Sequence, residues 1–343
     1  AGGELLTGRR NKGYMDYGST GQIGVFFMLG RVADNLYWLS RYIERASNTA
    51  RFVEASCYLN LDFQIDHREQ WTPLIEINED MDAFLAYYDE PSRDHVLHWL
   101  IYNEESPNSI KSCLHRARMI ASTLREVLSI EVFQQISNVS QLIPEVTPHT
   151  VPPHHVIFSL CEQIKKADML ITGIMSKNME RGIGYNFWRL GEYLERADKT
   201  SRLLNVNYFY LLPDVVDVGT SVEDVQWSAL LQSIDARETY YRRYSIIGAE
   251  HVIEMIIHDH RFPRSIFFCL SSAKRCVLEI TSTTTSKPYV ELDQLCAELE
   301  EVKSAHIIES GLHEFIDKLQ IKMNTINLSI YRSFCDVRTS PST

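Results

Sequence analysis

The sequence of 343 residues is poor in the features that identify disulfide-stapled, zinc-ribbon and membrane-spanning proteins. Its seven cysteines are odd in number, widely scattered and never form a C-x-x-C pair, which excludes a disulfide framework and a zinc ribbon. No stretch approaches the roughly 18–20 apolar residues that a membrane-spanning helix needs. We therefore expect a cytoplasmic protein that is kept in a reducing compartment and is not embedded in a membrane.

Missing motifs and the sign of the charge exclude further classes. The sequence has no G-x-S-x-G, Walker A or G-x-G-x-x-G element, which argues against an independent hydrolase, NTPase or dinucleotide enzyme. Proteins that follow a nucleic-acid backbone carry a basic face, whereas this chain has a formal net charge of -11. The histidines lack the H-E-x-x-H or Cys/His spacing of zinc sites, so we expect no metal, no cofactor and no nucleic-acid partner.

What the sequence does contain is a pair of matched stretches, repeated in the same order. NLYWLSRYIERASNTAR from Asn35 aligns without gaps on NFWRLGEYLERADKTSR from Asn186, an offset of 151 residues. A second stretch from Trp71 aligns without gaps on the stretch from Trp227, an offset of 156 residues. Two ordered matches with nearly equal offsets predict an internal duplication. The difference between the offsets fits one insertion in the Pro-containing segment LLPDVVDVG.

Each copy has the periodicity of amphipathic helices. In the first copy, apolar side chains recur at spacings of three and four, at Leu36, Leu39, Ile43, Ala46, Ala50 and Val53. Ser106 and Pro107 are typical of a helix start, and the runs 156–179 and 306–334 predict a closing helix for each copy. We therefore predict an all-α fold, a helical bundle made of two tandem pseudo-symmetric helical repeats.

The predicted domain boundaries follow from the repeat. One domain covers residues 28–343, with the first repeat at about 28–178 and the second at about 179–335. The Gly-rich residues 1–27 lack the long apolar run of a secretory signal, and we interpret them as a disordered or non-native extension before a start at Met28. A genuine N-terminal arm is the alternative.

Four segments together resemble a known family. MLGRVADNLYWLSRYIERASNTAR, SPNSIKSCLHRAR, WRLGEYLERADKTSRLL and FPRSIFFCL look like the successive signatures of the bacterial alpha-E domain family, between about Met28 and Cys335. The resemblance implies a helical protein that bacteria often encode beside, or fused to, an ATP-grasp-type peptide ligase and near a transglutaminase-like protease. It implies a role in forming or tagging peptides, and no assigned reaction. We expect a helical accessory or scaffold subunit of such a ligase system, with both proteins as partners.

The two Glu-Arg motifs are the strongest candidate for a functional site. Spacings of three, four and three place Arg41, Glu44, Asn48 and Arg51 on one helix face. A twofold arrangement of the copies would bring Glu44 and Glu195 together. Two neighbouring carboxylates can share a proton, bind a metal or hold the amine of a peptide substrate. Glu44 and Glu195 are therefore the catalytic candidates.

Three interpretations of the protein stay open at this point. The chain could be an amide-bond hydrolase or transferase that uses the two glutamates as acid and base, or a structural homo-oligomer. In the interpretation that we favour, the glutamates belong to an ion-pair network in which each is bound by arginines of the other copy. The arginines that would form this network, or bind a ligand, are Arg41, Arg45, Arg51, Arg196 and Arg202.

The starts of two helices form a second candidate site. Helix N-termini present free N–H groups and a partial positive charge, which can hold a phosphate or a carboxylate. The anion-binding candidates at these positions are Ser109, Arg264 and Ser265. Ordinary helix capping is the commoner role of such serines.

Overall fold

The computed structural model describes residues 22–62, 67–78, 80–211 and 221–334. The regular elements of the described residues are helices, with no strand among them, so the all-α prediction is confirmed. The helices of the first half are α1 (Gln22–Asp62), α2 (His67–Glu76), α3 (Met81–Leu85), α4 (Arg93–Leu97), α5 (Ile110–Thr123), α6 (Ile130–Ser140) and α7 (His154–Asn178). Those of the second half are α8 (Ile183–Leu211), α9 (Ser221–Ser233), α10 (Arg237–Tyr241), α11 (Ala249–Ile253), α12 (Ile266–Thr281), α13 (Lys287–Glu301), α14 (Ser304–Ser310) and α15 (Leu312–Phe334).

Helices α1 and α8 form the centre of the molecule and pack along each other. The apolar stripe predicted for α1 is buried along its whole length, at Leu36, Leu39, Ile43, Ala46, Ala50 and Val53. The two backbones come close at Gly191 of α8, where a Cβ atom would lie 2.3 Å from the carbonyl oxygen of Tyr37 on α1. Glycine is needed there because any side chain would push the central helices apart.

The order of the elements is the same in the two halves of the chain. Helices α3, α4 and α5 begin at residues 81, 93 and 110, and α10, α11 and α12 begin at residues 237, 249 and 266, each 156 residues later. A π-helical turn follows α4 at His98–Tyr102, and another follows α11 at Glu254–His258, again with this offset. These starts agree with the sequence alignment. The rotation that would relate the two copies stays a prediction.

Two predicted helix boundaries were wrong. Helix α5 begins at Ile110 and is capped by Ser109, whose Oγ accepts a hydrogen bond from the Ser112 amide at 3.0 Å, so Ser106 is not the cap. The closing run 306–334 is split into α14 and α15, because Gly311 between them has a φ of +101° that ends the first helix. The first closing helix was predicted to within two residues, as α7.

Three further predictions concern the ends of the chain, the insertion and the membrane. Residues 1–21 of the predicted extension lie outside the described residues, and α1 already begins at Gln22. Apart from Leu211, the predicted insertion also lies outside them. In the part of the chain that the structure describes, no helix has the length and apolar character needed to cross a bilayer.

Candidate functional site

The two Glu-Arg dipeptides meet where α1 packs on α8, and each glutamate binds the arginine of the other. Arg196 donates from Nε to Glu44 Oε1 at 3.0 Å and from Nη2 to Oε2 at 2.7 Å. Arg45 donates from Nε to Glu195 Oε1 at 2.6 Å and from Nη2 to Oε2 at 3.0 Å. Both contacts are bidentate, the strongest geometry between a guanidinium and a carboxylate. We call these four residues the Glu-Arg double pair.

Each glutamate of the double pair also binds a second arginine. Arg264, just before α12, donates from Nη1 to Glu44 Oε1 at 3.1 Å. Arg41 of α1 donates from Nε to Glu195 Oε2 at 2.8 Å. The glutamates themselves are almost fully enclosed, with exposures of 1% for Glu44 and 0% for Glu195. Every carboxylate charge is therefore matched by guanidinium groups inside the protein.

This environment decides the protonation of the two glutamates. Burial raises the pKa of a carboxyl, but the arginines around Glu44 and Glu195 outweigh it and hold both pKa values well below the usual range. Both groups are ionised at neutral pH and have no proton to donate. A general acid or base works best with a pKa near the working pH, so this arrangement suits the joining of helices better than proton transfer.

The remaining predicted arginines take different positions. Arg51 donates from Nε to Asp235 Oδ2 at 2.6 Å and from Nη1 to Ser47 Oγ at 2.6 Å. Arg202 donates from Nε to both carboxylate oxygens of Asp198, one turn earlier on α8, at 3.0 Å. The structure thus places Arg41, Arg45 and Arg196 at the glutamates, and Arg51 and Arg202 on other carboxylates.

The serines proposed as anion-binding candidates serve as helix caps. Ser109 caps α5, as described above, and Ser265 Oγ accepts a hydrogen bond from the Phe268 amide at 3.0 Å at the start of α12. The Ser265 hydroxyl also donates to the Asp259 carbonyl. Arg264, beside this cap, extends to Glu44 and to Asn48 Oδ1, which it contacts at 2.9 Å. Ser109 thus lies at the start of α5 and Ser265 at the start of α12, while the Arg264 side chain is bound to Glu44 and Asn48.

Several polar residues around the double pair were not among the predicted site residues. Arg45 Nη1 donates to Asn108 Oδ1 at 2.9 Å, and Asn108 Nδ2 in turn donates to Asp80 Oδ2 at 3.1 Å. Lys199 is buried and donates from Nζ to Asn78 Oδ1 at 2.8 Å, and burial lowers its pKa. The one available signal was the repeat, since its alignment places Asn108 opposite Arg264. Within the described residues, no group of three or more His, Cys, Asp or Glu could hold a metal ion.

Two mycobacterial proteins are similar to most of this chain. Uncharacterized protein Rv2567 of Mycobacterium tuberculosis is 20% identical over 328 residues, which cover 90% of this chain and 36% of that protein. Uncharacterized protein Mb2597 of Mycobacterium bovis matches with the same identity and the same coverage. The chain therefore spans about a third of the length of these relatives. No solved structure matches it.

A family model matches residues 28–335 and is described as a predicted alpha-helical domain with a conserved ER motif. In one-letter code, ER is the Glu-Arg dipeptide, which the chain contributes to the double pair once from α1 and once from α8. The match covers most of the 343 residues. The chain belongs to the Alpha-E family.

Proposed function

We propose that this chain is a helical accessory or scaffold subunit of an ATP-dependent peptide-ligase system. The observation that carries the proposal is the condition of Glu44 and Glu195, which are buried, ionised and each bound by two arginines. Carboxylates in this condition join helices and offer no accessible acid or base. A protein whose most prominent motif is used for its own architecture fits a binding or scaffolding role.

The proposed partner is an ATP-grasp-type peptide ligase, and a transglutaminase-like protease is a second proposed partner in a bacterial cytoplasm. The family resemblance of the sequence supports this choice. The mycobacterial relatives support it in a more general way, because only 36% of each is matched by this chain. A domain found as a part of longer chains is suited to work beside other domains.

The two alternatives make different demands on the same residues. An amide-bond hydrolase or transferase would need Glu44 and Glu195 to reach a substrate, whereas their exposures are 1% and 0%. A structural homo-oligomer would need no ligase at all. Both alternatives are separated from the proposal by an experiment with the ligase.

The test is co-purification of the chain with an ATP-grasp-type peptide ligase, followed by assays of ADP release and peptide product. We expect a stable complex and faster product formation than with the ligase alone. A folded Glu195→Gln variant, assayed below its melting temperature, should still form the complex and support the reaction. If no complex forms and product formation is unchanged, the proposal fails. If the folded variant binds the ligase but abolishes product, the glutamate has a chemical role.

A further inference from the structure

Beside the double pair, two buried arginines face a carboxylate that comes from the protein surface. Asp235 lies in the turn between α9 and α10, and its Oδ2 accepts a hydrogen bond from Arg51 Nε at 2.6 Å. Arg264 Nε lies 4.0 Å from the same oxygen, too far for a hydrogen bond. The side chains of Arg51 and Arg264 are 2% and 12% exposed, whereas that of Asp235 is 43% exposed. The carboxylate can therefore leave towards solvent, and the arginines cannot.

A buried amide donor completes this group. Asn48 is 3% exposed, and its Oδ1 accepts hydrogen bonds from Arg264 Nη1 at 2.9 Å and from Arg51 Nη1 at 3.4 Å. Since the carbonyl oxygen is held by both arginines, Nδ2 of the same amide lies close to both guanidinium groups. Among the described residues, Nδ2 has no hydrogen-bond partner. Buried polar groups are normally satisfied, so this unused donor, on the amide whose oxygen both arginines contact, is available to an acceptor that a ligand supplies.

The second half of the double pair has no such group. The repeat alignment places Asn108 opposite Arg264, and Lys199 opposite Asn48. At that end, Arg45 and Arg41 bind Glu195 directly, and Asn108 connects Arg45 to Asp80. The helices are therefore joined there without an arginine at the position of Arg264. At the Glu44 end Arg264 takes the part that Arg41 has at Glu195, so Arg51 and the unused Asn48 amide, rather than Arg264, distinguish this end.

We propose that Arg51, Arg264 and Asn48 form a binding site for a carboxylate, and that Asp235 is an internal occupant which the ligand displaces. The inference does not depend on the ligase proposal. Exchange of one carboxylate for another leaves the charge of the site unchanged. A phosphate dianion would add a second negative charge beside two buried carboxylates, Glu44 and Asp168. The Oδ2 atom of Asp168 lies 3.8 Å from Arg51 Nη2. The site therefore selects a carboxylate, from a peptide C-terminus or from a free organic acid.

The backbone at Asp235 allows a clean test. Its φ of +54° is in the left-handed region, which glycine adopts without strain, so Asp235→Gly removes the internal carboxylate and preserves the turn. The probes are N-acetyl-dialanine, the same peptide with a C-terminal amide, and acetate, titrated calorimetrically into the full chain. Glu238→Gln is the matched control, because it removes one negative charge from α10 at an exposed pair with Arg242.

We expect Asp235→Gly to bind N-acetyl-dialanine at least tenfold more tightly than the wild type and the control, because the site is no longer occupied by its own carboxylate. The amide should not bind. Weaker binding of acetate than of the peptide acid identifies a peptide C-terminus, and equal binding identifies a free acid. Adding Arg264→Lys, which keeps the charge but not the planar fork, should abolish the gain. Equal binding of acid and amide by a folded Asp235→Gly, or no gain over wild type, overturns the proposal.

Discussion

Replacing Glu195 with glutamine tests whether the double pair holds the central helices together. Glutamine has nearly the same shape, so Glu195→Gln removes the charge and leaves the packing in place. Arg41 and Arg45, both largely buried, then lose the carboxylate that accepts their hydrogen bonds at 2.8 and 2.6 Å. Removing one partner of a buried ion pair typically lowers the free energy of unfolding by about 3–5 kcal/mol, because the remaining charge stays buried.

This loss converts into a measurable change of melting temperature. The entropy of unfolding is about 2.1 cal/mol/K per residue, or roughly 0.7 kcal/mol/K for 343 residues. A loss of about 3–5 kcal/mol therefore lowers the melting temperature by roughly 4–7 °C. Circular dichroism at 222 nm, recorded during heating, follows the melting of an all-helical protein directly.

The matched control is Glu162→Gln, which removes the same charge from an exposed pair with Lys166 on α7. Exposed pairs of this kind contribute little to stability because water screens them, so the control should melt within roughly 1–2 °C of the wild type. A double-variant cycle of Glu195→Gln with Arg45→Met should give a coupling free energy above about 1 kcal/mol. If Glu195→Gln melts like the control, the double pair does not stabilise the fold and our argument is wrong.

Three other predictions follow from the same structure. The pKa of Glu44 is lower in the folded than in the unfolded protein, so ionised Glu44 contributes stability that is complete above the pKa of an unfolded carboxyl and is lost as the pH falls towards the folded-state pKa. Urea titrations should therefore show declining stability below about pH 5. A flat profile would contradict this. Burial and the charge of Glu44 raise the pKa of Asp168 to about 6, so stability due to this group falls as pH rises from about 4 to 6. Asp168→Asn should therefore raise the melting temperature at pH 8 and have little effect at pH 4, while equal effects at both would refute the shift. Gly191→Ala should destabilise the fold, since the new Cβ atom would meet Tyr37. Gly173→Ala on α7, where a Cβ atom would have nothing within 4 Å, should instead stabilise the fold by about 0.5–1 kcal/mol. Thermal melts of both variants check this.

Periodicity and punctuation predicted most of the fold. The apolar stripe of α1 could be read from spacings of three and four, since a helix must bury that face. The start of α5 was assigned three residues too early, because Ser106 and Ser109 are equally good caps in sequence and only the hydrogen bond to Ser112 distinguishes them. The break between α14 and α15 could have been predicted from Gly311, a glycine within a helical run. It was overlooked because the apolar periodicity continues on both sides of this glycine.

The site was predictable only where the repeat supplied a partner. The contacts of Glu44 with Arg196 and of Arg45 with Glu195 are equivalent to each other in the sequence alignment of the two halves, so the alignment was enough to suggest them. Asp235 was not predictable, because it lies in a turn that only the packing of α9 beside α1 brings to Arg51. Arg264 was selected for its position before a helix, whereas its contacts are with Glu44 and Asn48.

The difference between the two ends of the double pair is the strongest reason to separate architecture from binding. At the Glu195 end, two arginines neutralise one buried carboxylate, and the nearby amides are used. At the Glu44 end, the same function is performed by Arg196 and Arg264, yet Arg51 and an unused Asn48 donor are buried beside them. Burial lowers the pKa of Arg264 to about 10, helped by the cations of Arg51 and Arg196, so this end keeps positive charge together against its own repulsion. Such crowding destabilises a fold unless anions offset it. Glu44, Glu192 and Asp168 do so from buried positions, and Asp235, the most exposed anion at this end, is the one that a ligand can replace.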